Sequence, residues 1–148
     1  ERASGATLKI RHLTGCEDPR PDLTPVTVTE SILLEESIAA GKRFDFIDKN
    51  LLHTHEKIRE EYDLILYNGD SVFIIEVKYR VHPKDIETLI HRKGSNFPLL
   101  FPQYRDFQRH LGLATFSIEN AVLEEALDRG VAVLQRRGDV IETIPAAA

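Results

Sequence analysis

The chain is 148 residues long, 42% hydrophobic and 29% charged, proportions that fit one globular domain with its own core and exclude a disordered or fibrous protein. Its formal net charge of −5 argues against a passive nucleic-acid coat, which gains affinity from excess Lys and Arg, but it suits a cation site, which must itself be acidic. No apolar run approaches the roughly 18 residues of a membrane span and no basic-then-apolar leader opens the chain, so a cytoplasmic setting away from membranes is expected. Cys16, the single cysteine, has no partner for an internal disulfide and no spaced Cys or His for zinc, and it reads as a loop thiol.

Residues 1–26 hold Gly5, Gly15, Pro19, Pro21 and Pro25 among charged residues and read as an irregular N-terminal arm, ahead of a domain over 27–148. Positions 27–40 read as a helix: Thr27 or Thr29 can cap it, Glu30 falls in the first turn, Ile32, Leu33, Leu34, Ile38 and Ala39 form an apolar face, and Gly41 stands just past the end. Positions 44–48 alternate as an edge strand does, and the polar stretch 51–59, with His53 and His55, reads as a connection. Within 61–79 two apolar runs flank Asn68-Gly69, a dipeptide that favours a two-residue hairpin loop. Pro83 begins a helix over 83–92, and 94–107 is an irregular segment rich in aromatics and prolines. Positions 111–116 read as a buried strand, 118–129 as a helix stopped by Gly130, and 131–134 and 140–144 as strands joined by a turn at Arg137-Gly138. The order α-β-β-β-α-β-α-β-β implies an α/β chain with a mixed sheet and helices on both faces.

If Asn68-Gly69 is the whole loop, Tyr67 faces Asp70 and Asp63 lies opposite Ile74. Side chains alternate at period two, so Glu61, Asp63, Ile74, Glu76 and Lys78 share one face. The other face, Tyr62, Leu64, Leu66, Phe73, Ile75, Val77 and Tyr79, carries no charge. Asp63 and Glu76 become diagonal neighbours at roughly 7–8 Å between backbones, close enough to share one hard cation. Mg²⁺ takes one or two protein carboxylates, keeps several waters and accepts phosphate in the remaining positions. Lys78, one pleat beyond Glu76, would orient the attacking water or stabilise charge on phosphoryl oxygens. The plainer alternative is a strand-end salt bridge between Glu76 and Lys78 with Asp63 solvated. Three charges converging on strands of Ile, Leu, Val and Phe weigh against it, because desolvated charge needs a partner or a purpose.

Tyr62-Asp63 followed thirteen residues later by Glu76-Val77-Lys78 resembles the Asp…Glu-x-Lys signature of the PD-(D/E)XK nuclease superfamily. The text around it, Glu61-Tyr62-Asp63-Leu64-Ile65-Leu66-Tyr67-Asn68-Gly69-Asp70 and Ile74-Ile75-Glu76-Val77-Lys78-Tyr79, is similar to a largely uncharacterised bacterial branch of it. Phe101-Pro102-Gln103-Tyr104 and 111–117 extend the likeness, which covers about residues 28–144. The proline that usually precedes the aspartate is replaced by Tyr62.

The resemblance implies a restriction-endonuclease-like α/β fold with an α-β-β-β-α-β core. It implies a hydrolase of DNA phosphodiester bonds in which Asp63, Glu76 and the Val77 carbonyl bind Mg²⁺, Mn²⁺ being able to substitute, and Lys78 assists the water. Many members add a glutamate from the first helix, for which Glu30 is the candidate, with Glu35 and Glu36 behind it. Members that cut both strands pair two sites, so a homodimer is a further expectation. The alternative function is a catalytically silent module that keeps the fold for nucleic-acid or protein binding. His82, Lys84, His91, Arg92 and Lys93 could touch phosphates but read more simply as a solvated helix face. Phe97, Tyr104 and Phe107 read as a cover for the sheet.

Overall fold

The computed structural model describes residues 7–9, 38–39, 42–43, 46–137 and 140–146. Their strands are β1 (Thr7–Lys9), β2 (Ile38–Ala39), β3 (Lys42–Arg43), β4 (Phe46–His55), β5 (Ile58–Tyr67), β6 (Ser71–Arg80), β7 (Gln108–Ser117), β8 (Val131–Arg137) and β9 (Val140–Ile144). Seven of them form one sheet in the order β1-β9-β8-β7-β6-β5-β4. β6 to β8 run parallel and the remaining pairs antiparallel, so the sheet is mixed. β5 and β6 are near-continuous apolar runs rather than alternating ones because both their faces are covered: Leu64, Ile65, Leu66, Val72, Phe73, Ile74 and Ile75 are all buried.

After β6 the chain is helical over three consecutive segments: α1 (Pro83–Thr88), a π-helical stretch (Leu89–Gly94) and α2 (Ser95–Leu100), followed by a 3₁₀ turn at Pro102–Tyr104. α1 starts where Pro83 needs no amide partner and Asp85 Oδ2 accepts the His82 N–H at 2.8 Å. A further helix, α3 (Asn120–Asp128), links β7 to β8 and ends at Gly130, whose φ of 83° suits a residue without Cβ.

Several expectations change here. Helices on both faces are not found among the described residues: Ile86, Leu89, Phe97, Val122 and Ala126 pack into one cluster with Ile65, Val72, Ile74, Leu113 and Val133. The reason is topological. β6, β7 and β8 are adjacent, parallel and in chain order, so both crossovers step the same way across the sheet and their right-handedness places both helices on one face. The expected helix over 27–40 lies outside the described residues as far as position 37, and Ile38–Ala39 at its end is a strand paired with Lys42–Arg43. Thr7–Lys9, within the segment read as an arm, pairs with β9 at the sheet edge.

The polar stretch 51–59 is not a connection. It continues β4, turns at Glu56-Lys57 and starts β5, with His55 across from Ile58. Glu56 takes a left-handed φ of 54° there, a conformation usually given to Gly or Asn, so the turn carries no legible sequence signal. The segment from position 94 is likewise helical to Leu100, and Phe97 within it is fully buried, its ring 5.8 Å from that of Tyr62.

One glycine is held by packing alone. A Cβ on Gly112 in β7 would lie 2.7 and 2.9 Å from Cε1 and Cζ of the buried Phe73 ring, so the strand or the ring would have to shift. Gly112→Ala is expected to cost about 1–3 kcal/mol in a urea titration, and a variant as stable as the wild type would mean that the two strands separate more readily than this packing implies.

Candidate metal and phosphate site

The site is built where two strands part. β5 and β6 pair from Tyr67↔Val72 to Leu64↔Ile75 and no further. The next step of that register sets Asp63 across from Glu76, and side-chain bonds take over from the ladder. Val77 N–H donates to Asp63 Oδ2 at 2.8 Å, and Asp63 N–H donates to Glu76 Oε2 at 3.3 Å. Each carboxylate accepts an amide from the opposite strand, which fixes both side chains at the fork.

The expected partner of Asp63, Ile74, pairs instead with Ile65. Asn68 Oδ1 accepts the N–H groups of Asp70 and Ser71 at 2.9 and 2.7 Å, and Asn68 N–H donates to Ser71 O at 3.0 Å, so Asn68 flanks the loop and Gly69-Asp70 form it. The register therefore moves by two residues. An even slip keeps every side chain on its expected face, and it brings the two carboxylates closer than the diagonal arrangement would.

Tyr62 departs from the expected alternation. It joins Ile65 and Tyr67 in the cluster beneath the helices, an odd spacing that a regular strand forbids. The interruption lies at Asp63 itself: Lys49↔Leu64 and Leu51↔Tyr62 pair with β4, but the position between them does not, and Asn50 there adopts a φ of 52°. The irregular backbone frees Asp63 from both neighbouring ladders and turns the Tyr62 hydroxyl toward the helices, where it donates to the Lys93 carbonyl at 2.9 Å. Burial first, then the nearby Glu60, raises the Tyr62 pKa, so the phenol keeps its proton for this bond.

Lys93 was expected on a solvated face; it is 8% exposed and reaches into the fork. Its Nζ lies 2.8 Å from Glu76 Oε1 and donates also to the Glu61 carbonyl. Lys78, by contrast, has a side chain 45% exposed, and its ammonium is 3.9 Å from Asp85 Oδ1 of α1. The ion pair of Glu76 is thus with Lys93. The other basic residues after the fork are largely paired as well: Arg92 Nε meets Glu60 Oε2 at 3.2 Å, His91 lies 3.3 Å from Glu87, and His82 lies 3.7 Å from Asp85.

Both carboxylates are displaced electrostatically in the same direction. Burial raises the Asp63 pKa, against the Val77 amide and the Lys93 and Lys78 charges, which lower it. Burial and then Asp63 raise that of Glu76, against its bond to Lys93. Burial outweighs the groups that lower each value, and at Glu76 the neighbouring Asp63 adds to it, so added positive charge between the two would favour both anions.

Two adjacent carboxylates, Asp63 half-buried and Glu76 buried, are hard oxygen donors of the kind Mg²⁺ uses, and one or two suffice when waters and substrate complete the shell. Among the described residues no third His, Cys, Asp or Glu joins them. Glu30, Glu35 and Glu36 lie outside the described residues. Comparison with protein-family models, curated proteins and solved structures finds no match to this chain.

Proposed function

We propose that this chain is a Mg²⁺-dependent nuclease of the PD-(D/E)XK type, with a restriction-endonuclease-like fold, that hydrolyses DNA phosphodiester bonds. One observation carries the proposal: two carboxylates, the half-buried Asp63 and the buried Glu76, are held side by side by cross-strand amides at a strand fork. Asp63, Glu76 and the Val77 carbonyl would hold the cation, with Glu30 as a further candidate ligand. When bound, the cation supplies positive charge to phosphoryl oxygens and eases loss of a proton from water. The chain's own groups do the rest. The cross-strand amides orient the carboxylates, and the half-exposed Lys78 ammonium, held only by a long 3.9 Å pairing with Asp85 among the described residues, would approach a phosphate or orient water at the rim of the fork.

Plasmid and single-stranded DNA and RNA incubated with the protein should be cut with Mg²⁺ or Mn²⁺ and spared with EDTA. Linear plasmid rather than nicked circles would indicate two sites acting together, as in a homodimer. No cleavage of any substrate would leave the second reading, a silent binding module, which the Lys93–Glu76 pair favours because it neutralises one carboxylate without a metal. Lys78→Met keeps the apolar stem and is expected to slow single-turnover cleavage by about 10²-fold. DNA affinity measured in Ca²⁺ should change little, since one phosphate contact among several is lost. A variant that cuts at the wild-type rate would remove Lys78 from the chemistry.

A further inference from the structure

Lys93 is placed with unusual care. Ile86, Leu89, Phe97 and Leu100 are buried at helical spacing, and Lys93 occupies the gap in that stripe, where an apolar residue would be ordinary. The π-helical stretch Leu89–Gly94 carries it, a helix type that seldom persists unless the surroundings hold it. Those surroundings are visible: the Tyr62 hydroxyl bonds the Lys93 carbonyl, and a Cβ on the next residue, Gly94, would meet Leu89 O at 3.0 Å and Leu111 Cδ2 at 3.3 Å. Lys93 also lines a cleft of about 420 Å³ together with Arg59, Glu60, Glu61 and Arg92, and its ammonium meets Glu76.

From this placement we infer that Lys93 is a positioning residue of the site, an internal counter-cation that holds Glu76 and competes with a divalent metal ion for it. The inference rests on the metal-site reading of Asp63 and Glu76. Glu76 Oε2 is engaged by the Asp63 amide and Oε1 by Lys93, so an ion that takes Oε1 must weaken or share the lysine contact, and one that takes Oε2 binds a carboxylate whose charge the lysine already offsets. The displaced ammonium remains tethered to the Glu61 carbonyl at the cleft edge. Asp63 also feels the Lys93 charge, and a metal ion between the two carboxylates would be repelled by it.

The sign of one measurement separates this role from a purely structural one. Mn²⁺ affinity is measured by titration calorimetry on the full chain for the wild type, Lys93→Met and Lys93→Gln, with melting temperature checked in EDTA. Competition predicts that removing the ammonium tightens Mn²⁺ binding by about tenfold or more, because a like charge close to the ion is lost. A structural role predicts weaker binding, since the fork would loosen. Unchanged or weaker Mn²⁺ binding in both variants overturns the inference, as does failure of both to fold, which would assign Lys93 to the fold alone. Absence of Mn²⁺ binding in all three proteins overturns it together with the metal-site reading. Tighter binding in a variant, with a wild type that binds Mn²⁺ but cuts no nucleic acid, supports the inference and removes only the nuclease.

Discussion

Asp63→Asn is expected to raise the melting temperature of the metal-free protein at neutral pH while lowering cleavage by about 10²–10³-fold. Burial raises the Asp63 pKa in the folded state above the ordinary aspartate value of 3.8. The folded protein therefore holds this proton more tightly than the unfolded chain does. The stability so contributed is complete below 3.8 and is lost as pH rises through the raised folded value. At neutral pH the carboxylate is a liability. Asparagine removes that charge and can still accept the Val77 N–H that Asp63 Oδ2 now takes at 2.8 Å. The stabilisation should grow from acid toward neutral pH, and the rise in melting temperature expected of the wild type with Mg²⁺, if the proposed site binds it, should shrink in the variant. Thermal scans across pH, with EDTA and with Mg²⁺, test both halves. A variant that melts below the wild type without metal at neutral pH would show that Asp63 serves the fold.

The opposite result is expected one strand away. Glu76→Gln removes a buried carboxylate whose pKa is raised by burial and then by Asp63, against the Lys93 contact, which lowers it. The close contact of two buried charges decides the expected sign. Glu76 is 5% and Lys93 8% exposed, and their contact is 2.8 Å. Without the carboxylate, Lys93 loses its close anionic partner and, among the described residues, keeps the Glu61 carbonyl, the Tyr62 ring at 5.9 Å, a neutral amide oxygen at position 76 and the more distant Asp63 charge. Removing one member of a buried pair typically costs about 3–5 kcal/mol, because the survivor is left charged and unsolvated. Relief of the Asp63–Glu76 repulsion offsets part of this, so a loss of about 3 kcal/mol is expected. Combining Glu76→Gln with Lys93→Met should recover much of it, and the cycle of four proteins isolates the pair by urea denaturation. A single variant as stable as the wild type would mean that water reaches the lysine freely.

Together the two substitutions distinguish the carboxylates, which look equivalent as two acidic side chains on one hairpin face. The hydrogen bond that Asp63 accepts comes from a backbone amide, whereas Glu76 is bonded directly to a second charge. The difference lies in what the helical segment brings to the fork.

Much of the site was legible because it depends on local rules. Period-two alternation put Asp63, Glu76 and Lys78 on one face, and a register error of two residues left that conclusion intact, since faces depend only on parity. The apolar runs of β5 and β6 and the glycine after α3 were equally local. The turn at Glu56-Lys57 was hidden because neither residue type announces it, and tertiary pairing of β4 with β5 imposes the left-handed Glu56.

Lys93 marks the boundary between the two kinds of information. The stripe of Ile86, Leu89, Phe97 and Leu100 is written in the sequence, and extending the helix past position 92 would have exposed the lysine in its gap. Pro98 and the aromatic residues argued for stopping earlier, and the continuation through a π-helical stretch is a product of packing against β5 and β7. Helix placement on one face followed likewise from strand order, which no local pattern encodes. Which charges share the hairpin face follows from counting along the strands, because side-chain direction there alternates. Which cation meets Glu76 depends on packing, because residues 17 positions apart must be brought together and burial strengthens their attraction.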